Sequence, residues 1–394
     1  MEQMKFEQGD LQQEAPKRIK KRQLPRRRLR ALAVVAAAVL AVVAAFVLLD
    51  RTAFDGLRRS IAYMQAEKDE SGCARLFQYS SDGSSRYADL NGSLLVASAN
   101  EITLLDDKGN AVYHAALQFS QVALSAADAQ AAVYEIGGRT LYLLNSRGLV
   151  QQMELEGDIF AVQMGRSGRF AVTLKKTGYK TTVSVYNGKG EPLYDFNSAQ
   201  SYLLTAAVSE NGKYMAAAAM SQDNGSFVSS LQIYKLTSET MAAEGTLEGG
   251  VYEMGTVGGR FCAATDKALY FVKTDGTVTS YDFQGASLSR CGLGADKFAA
   301  VLLENYASGG QTHLAIVNAA GEEISSMAVD SEVLDLSAAG RYLAVLYSNK
   351  LVIYDQKLRE CAVLEDVSSA RRVLMRSDGS AVLAGTNAAS LYLP

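Results

Sequence analysis

The sequence predicts an all-β protein, an eight-bladed β-propeller preceded by a single N-terminal transmembrane helix. Three observations predict it. From residue 73 onward the chain is a succession of short apolar runs bounded by Gly, Asn, Asp and Ser, with no long 3.6-residue pattern. The runs recur in fours with a period of roughly 40 residues, the signature of a propeller blade. A single uncharged apolar stretch, residues 31–49, stands ahead of them.

Composition agrees with a large all-β domain. The 394 residues include 33 Gly, 4 Pro, 20 Tyr and no Trp, so turns are built on Gly and the aromatic supply is mostly Tyr. The net charge of −3 is uneven: residues 1–30 carry +6, which leaves −9 for the rest. A basic tail on an acidic body points to a membrane-proximal tail and away from nucleic acid.

Residues 1–30 are polar and read as a disordered cytoplasmic tail. The runs Lys17-Arg18-Ile19-Lys20-Lys21-Arg22 and Arg26-Arg27-Arg28-Leu29-Arg30 abut the apolar stretch. They suit anionic lipid at a cytoplasmic membrane surface. Residues 31–49 are 19 Ala, Val, Leu and Phe residues without charge, Gly or Pro. As a helix they reach about 28 Å, close to the ~30 Å hydrocarbon thickness. The flanking basic cluster orients the helix with its N-terminus inside. The rival is a cleaved signal peptide, but the run ends Phe46-Val47-Leu48-Leu49-Asp50-Arg51, without a small-x-small site. Residues 50–72 read as a juxtamembrane stalk, with Phe54, Leu57, Ile61 and Met64 at helical spacing.

The blades follow in order. Expected strands are 93–97, 102–105 and 111–117 in blade 1, and 121–125, 131–136, 140–144 and 149–155 in blade 2. Blade 3 takes 159–164, 169–174, 181–186 and 191–196; blade 4 takes 203–208, 213–220, 229–234 and 240–247. Blade 5 takes 251–257, 260–264, 268–272 and 277–283; blade 6 takes 288–293, 297–303, 313–317 and 323–329. Blade 7 takes 333–336, 341–347, 350–354 and 360–364. The eighth unit, 371–375, 380–384 and 390–393, has only three strands. Residues 73–79 are the available fourth, and their pairing would close the ring and cover an open sheet edge. Seven blades is the alternative count, because blade 1 is the least regular.

Two recurrent phrases mark the hairpins. Gly-Arg/Lys-Tyr/Phe opens second strands at Gly168-Arg169-Phe170, Gly212-Lys213-Tyr214, Gly259-Arg260-Phe261 and Gly340-Arg341-Tyr342. Asn/Asp-x-x-Gly follows third strands, as in Asn187-Gly188-Lys189-Gly190 and Asp106-Asp107-Lys108-Gly109. Ile353-Tyr354-Asp355 and Val185-Tyr186-Asn187 stand where a WD40 blade has Trp-Asp, and Leu141-Tyr142-Leu143-Leu144-Asn145-Ser146-Arg147-Gly148 is similar to a quinoprotein-type repeat. At these residues the chain resembles the WD40-like and quinoprotein-dehydrogenase-like propeller superfamilies. The resemblance covers residues 73–394 and implies the fold. It fits a membrane-anchored bacterial propeller.

The residues that carry chemistry elsewhere are sparse. His114 and His313 are the two histidines, about 200 residues apart in expected strands, which suits neither zinc nor a Ser/His/Asp triad. No Asp/Asn/Gly turn has the spaced oxygens of a calcium loop. A quinone would need a flat aromatic platform, and there is no Trp. The expectation is therefore no catalytic residue, no metal and no cofactor. Cys73, Cys262, Cys291 and Cys361 allow three pairings. Cys262 and Cys291 fall on neighbouring blades and are the candidate disulfide, with small buried thiols as the alternative.

Specificity in a propeller resides in its longer loops. Three join second to third strands: 175–180, 221–227 and 304–312. They would cluster on one face, and Asp223, Asn224, Asn305 and Tyr306 are the candidate partner-binding residues. The expected function is a non-enzymatic scaffold or sensor outside a cytoplasmic membrane, binding a protein or a cell-wall glycan. The alternative is a hydrolase or lyase acting through carboxylates at the propeller channel.

Overall fold

A computed structural model describes residues 59, 63, 68–223, 225–305 and 310–394. The tail, the stretch 31–49 and most of the stalk lie outside these residues, as do Asn224, Tyr306 and the side chain of Asp223. The chain divides into two units, Met1–Leu57 and Arg58–Pro394, and every described residue belongs to the second. Among the described residues no helix is long and apolar enough to cross a membrane.

The second unit is an eight-bladed propeller of four-stranded antiparallel sheets. Seven blades use four consecutive strands, and the eighth takes its outermost strand from the start of the domain. There Cys73–Gln78 pairs with Ala388–Tyr392, with Phe77 opposite Ala389. The innermost strands are Arg86–Leu90, Val122–Ala127, Asp158–Met164, Tyr202–Val208, Val251–Val257, Ser287–Gly292, Val333–Ala339 and Arg372–Met375. Together they line a central channel.

The core explains why the apolar runs are continuous. Eight apolar clusters occupy the eight seams between blades. Second and third strands are packed on both faces, so Ser93–Ala97, Ala268–Val272 and Tyr342–Tyr347 are buried throughout. Outer strands have one face in water, and Ala111–Ala116 and Pro192–Ser198 alternate accordingly. The Asn/Asp-x-x-Gly turns are tight hairpins. Asn187 Oδ1 accepts from the N–H groups of Lys189 and Glu191, and Gly190 supplies the φ of 83°.

Four expectations need correction. Residues 221–227 are not a long loop. Tyr214–Asp223 and Ser226–Lys235 pair to their ends, so polar Ser221-Gln222-Asp223 extends a strand beyond the core. The 304–312 segment likewise contributes to Phe298–Asn305 and Gln311–Asn318, which pair as far as Asn305 opposite Gln311. Blade 1 also gains an inner strand, Arg86–Leu90, that the apolar pattern did not mark. The Cys262–Cys291 bridge is not made, and all four cysteines are free thiols.

Candidate functional site

The inner strands carry a repeated device. In blades 3 to 7 the pairing with the second strand slips one residue after the start, between Ile159 and Ala161, Leu203 and Thr205, Val251 and Glu253, Leu288 and Arg290, and Val333 and Asp335. Such a bulge leaves one residue unpaired and re-aims its side chain. Phe160 and Tyr252 are two of these extra residues, and both are exposed where the sequence pattern would have buried them.

All five bulges lie at the end of the channel that bears the second-to-third-strand turns, the upper face. Tyr252, Phe227 and Tyr202 are 71%, 60% and 58% exposed. Phe160, Tyr179 and Ile136 are also exposed on this face. Phe227 stands beside the tip of the extended hairpin of blade 4, and Tyr179 is in the 175–180 loop, with Lys180 Nζ lying 5.0 Å from the Tyr202 ring centre. Exposed aromatics thus run across blades 3, 4 and 5 on one side of the channel. The other exposed apolar residues, including Val112, Leu149, Leu193, Met241, Ile324 and Val363, are spread one per outer strand around the rim.

The residues following the bulges line the upper mouth. A cavity of about 470 Å³ is bounded by Tyr252, Glu253, Ser289, Arg290, Cys291 and Asp335. Arg290 leans to blade 7, where its Nε donates to Val333 O at 3.3 Å. Asp335 is held by the Val373 N–H at 2.8 Å and by Arg372 at 3.3 Å, and burial nonetheless pushes its pKa up. Glu253 has no such help. It is open to channel solvent but surrounded by protein, and burial alone pushes its pKa from 4.5 up to about 7.

Glu253 also lines the lower cavity, about 990 Å³, so it stands where the two join. Lower down, Arg166 of blade 3 reaches across to blade 6. Its Nη1 donates to Asp296 Oδ1 at 2.8 Å and its Nη2 to Gly294 O. Gly294 permits the approach of blade 7, since a Cβ there would stand 2.2 Å from Ala338 O. At the same end Arg376 Nε donates to Asp89 Oδ1 at 2.8 Å, and Arg376 Nη1 donates to the Tyr63 hydroxyl at 3.2 Å. Arg59 Nη1 donates to Asp378 O at 3.0 Å, so residues 59 and 63 sit against the lower turns of blades 8 and 1.

The sequence-named residues fall differently. Asn305 ends a strand on the upper face and is half-buried. Cys262 and Cys291 belong to the seam of blades 5 and 6, where burial pushes both thiols well up. His114 lies on an outer strand beside Thr103, and His313 on the third strand of blade 6, blades apart. No group of three or more metal-ligating side chains exists among the described residues. Sequence reasoning missed Glu253 and the bulged aromatics. A signal was present in Tyr252-Glu253, an aromatic and a charge inside an apolar run.

A family model described as a family of unknown function, DUF5711, matches residues 70–362. The chain belongs to this DUF5711 family. The match begins just before the closing strand, takes in blades 1 to 6 and ends within the last strand of blade 7, Glu360–Glu365. Comparison with curated protein sequences returns no match. Among solved structures, BamB from Moraxella catarrhalis is 13% identical, covers 81% of this chain and 97% of its own, and superposes with a TM-score of 0.50. The C-terminal WD40 domain of Sif2 is 12% identical, covers 80% of this chain and 95% of its own, and gives 0.52. At such identities the likeness shows the propeller fold that the repeats predict, and the DUF5711 chain shares that fold with both.

Glu253 gives the first testable expectation. Its pKa in the folded chain lies above its ordinary 4.5, so the folded state binds that proton more tightly. The resulting stability is fully present below about pH 4.5 and is lost as pH rises through 7. Glu253→Gln should therefore flatten the pH dependence over that window and be more stable than the parent at pH 8. Thermal melts of both chains from pH 5 to 8 check this; parallel curves would count against it.

Proposed function

We propose that this protein is a non-enzymatic scaffold or sensor, anchored in a cytoplasmic membrane by residues 31–49 with its propeller outside, and that it binds a protein through the upper face. The observation that carries the reading is the row of exposed aromatics on blades 3 to 5. Exposed apolar surface gathered on one side of a rigid body is what a protein partner covers. Tyr and Phe supply contact area with few rotatable bonds to freeze. Two of them are re-aimed outward by bulges, against the burial their strand would otherwise give. The membrane placement is supported by the uncharged stretch 31–49 and the basic cluster before it.

The enzymatic alternative needs two carboxylates working on one substrate. Of the carboxylates along the channel among the described residues, Asp89, Asp296 and Asp335 are each engaged by an arginine and Asp378 by the Ser380 hydroxyl, and Asp128 lines the lower cavity only, away from the upper mouth that Glu253 also lines. The scaffold reading is therefore the better supported.

The test is photo-crosslinking in cells, with the probe at Tyr202, Phe227 or Tyr252 and a control probe at Val112 on the rim. The expected result is a discrete protein adduct from the first three positions and none from the control, reduced at least about tenfold when the other two aromatics are changed to Ser. Equal adducts from rim and upper face would sink the docking surface. A phosphatase reporter fused after Pro394 should be active only outside; activity of a cytoplasmic reporter instead would reverse the topology.

A further inference from the structure

We propose that the docking protein inserts a lysine or arginine side chain into the upper cavity, where Glu253 takes its charge while the flanking apolar residues lie on Tyr202, Phe227 and Tyr252. The inference rests on the docking reading above and adds the chemistry of what docks.

Charge complementarity supports it. The residues after the bulges put Glu253, Arg290 and Asp335 side by side around the mouth. Arg290 is committed to blade 7, and Asp335 has Arg372. Among the described residues no cation pairs Glu253. Glu253 is open to channel solvent, yet the protein around it and the lack of a counter-charge push its pKa up to about 7. A cation brought by a partner would supply that counter-charge.

Geometry gives the direction of approach. Glu253 stands one residue from Tyr252, the most exposed of the aromatics, and both line the same cavity. Below, the Arg166–Asp296 pair crosses the channel. The cavity of about 470 Å³ falls within the roughly 300–1,000 Å³ of ligand pockets. It therefore has room for a long aliphatic stem ending in a cation, the form of Lys and Arg.

The experiment is selection of a phage-displayed random dodecapeptide library on the purified full-length chain. Selected peptides are then synthesised and their affinities measured. The expected result is a basic residue flanked by apolar ones. Glu253→Gln should weaken such peptides at least about tenfold, as should replacing their basic residue with norleucine, and the two changes together should cost no more than either. Glu253→Asp serves as a second variant should the first fail to fold. Peptides that weaken with Tyr202→Ser and Tyr252→Ser but carry no basic residue, or ignore Glu253→Gln, would overturn this inference and leave the docking face standing. Peptides indifferent to all of these changes, or no peptide at all, would overturn both.

Discussion

Phe77→Ala should destabilise the propeller by about 3–5 kcal/mol, the cost of truncating a buried Phe to Ala. The ring is 1% exposed and lies in the seam between blades 8 and 1, against Leu94, Val96, Ala389 and Leu391. It belongs to Cys73–Gln78, the strand that joins the start of the domain to its end. Losing its packing weakens the seam and the closure together, because an unpaired Ala388–Tyr392 would present an open sheet edge. The neighbouring residue gives the control. Pairing slips between Ala74 and Leu76, and Leu76 is 61% exposed, so Leu76→Ala should shift stability by less than about 0.5 kcal/mol. Denaturant unfolding measures both variants, and hydrogen exchange at Ala388–Tyr392 reports whether the closing strand has loosened. Equal effects from the two substitutions would mean that the strand holds the ring by backbone pairing alone.

The closing strand also shows why the fold was legible. Local pattern suffices where the environment is uniform along a strand. Second and third strands lie between two blades, so each reads as an unbroken apolar run whatever its partner. The turns are equally local, since Asn187 bonds residues two and four further on. The short eighth unit then raises a question of arithmetic, and Cys73–Gln78 lies beside it.

What escaped depends on register and on distant partners. Arg86–Leu90 reads Arg-Tyr-Ala-Asp-Leu, with charge where an inner strand would be apolar. Its Asp89 is tolerated because Arg376, 287 residues later, comes to meet it. A bulge is a property of two strands, so nothing in Val251-Tyr252-Glu253 alone says that Tyr252 turns outward. The 221–227 stretch was misread for the opposite reason. Its polarity reflects strand ends standing clear of the core, and polarity alone does not distinguish such ends from a loop. Loop length therefore found the upper face and missed the side chains that characterise it.

Arg376→Ala should be the most damaging single change at a polar position. The guanidinium is 8% exposed and its partner Asp89 carboxylate 16%, so the pair is deeply set. Removing one member of such a pair typically costs about 3–5 kcal/mol, because the other is left buried and uncompensated. Burial already pushes the Asp89 pKa up with the arginine in place. Without it the pKa should rise further, so the folded chain would hold that proton more tightly than the unfolded chain. The variant's stability would then be greatest at acid pH and would fall as pH rises through the raised value. Two rescues discriminate the cause. Acidification should narrow the gap to the parent chain, and Asp89→Asn added to Arg376→Met should recover most of the loss, since no isolated charge would remain. The Arg376–Tyr63 bond at 3.2 Å would be lost in either case. Tyr63→Phe removes the hydroxyl that accepts from Arg376, and it should cost about 1.5 kcal/mol or less. Thermal and denaturant unfolding of this set at pH 5 and pH 8 is decisive. If the double variant is no more stable than Arg376→Ala, an uncompensated charge is not the cause of the loss, and the directed hydrogen bonds of the guanidinium to Asp89 and Tyr63 are what the site requires.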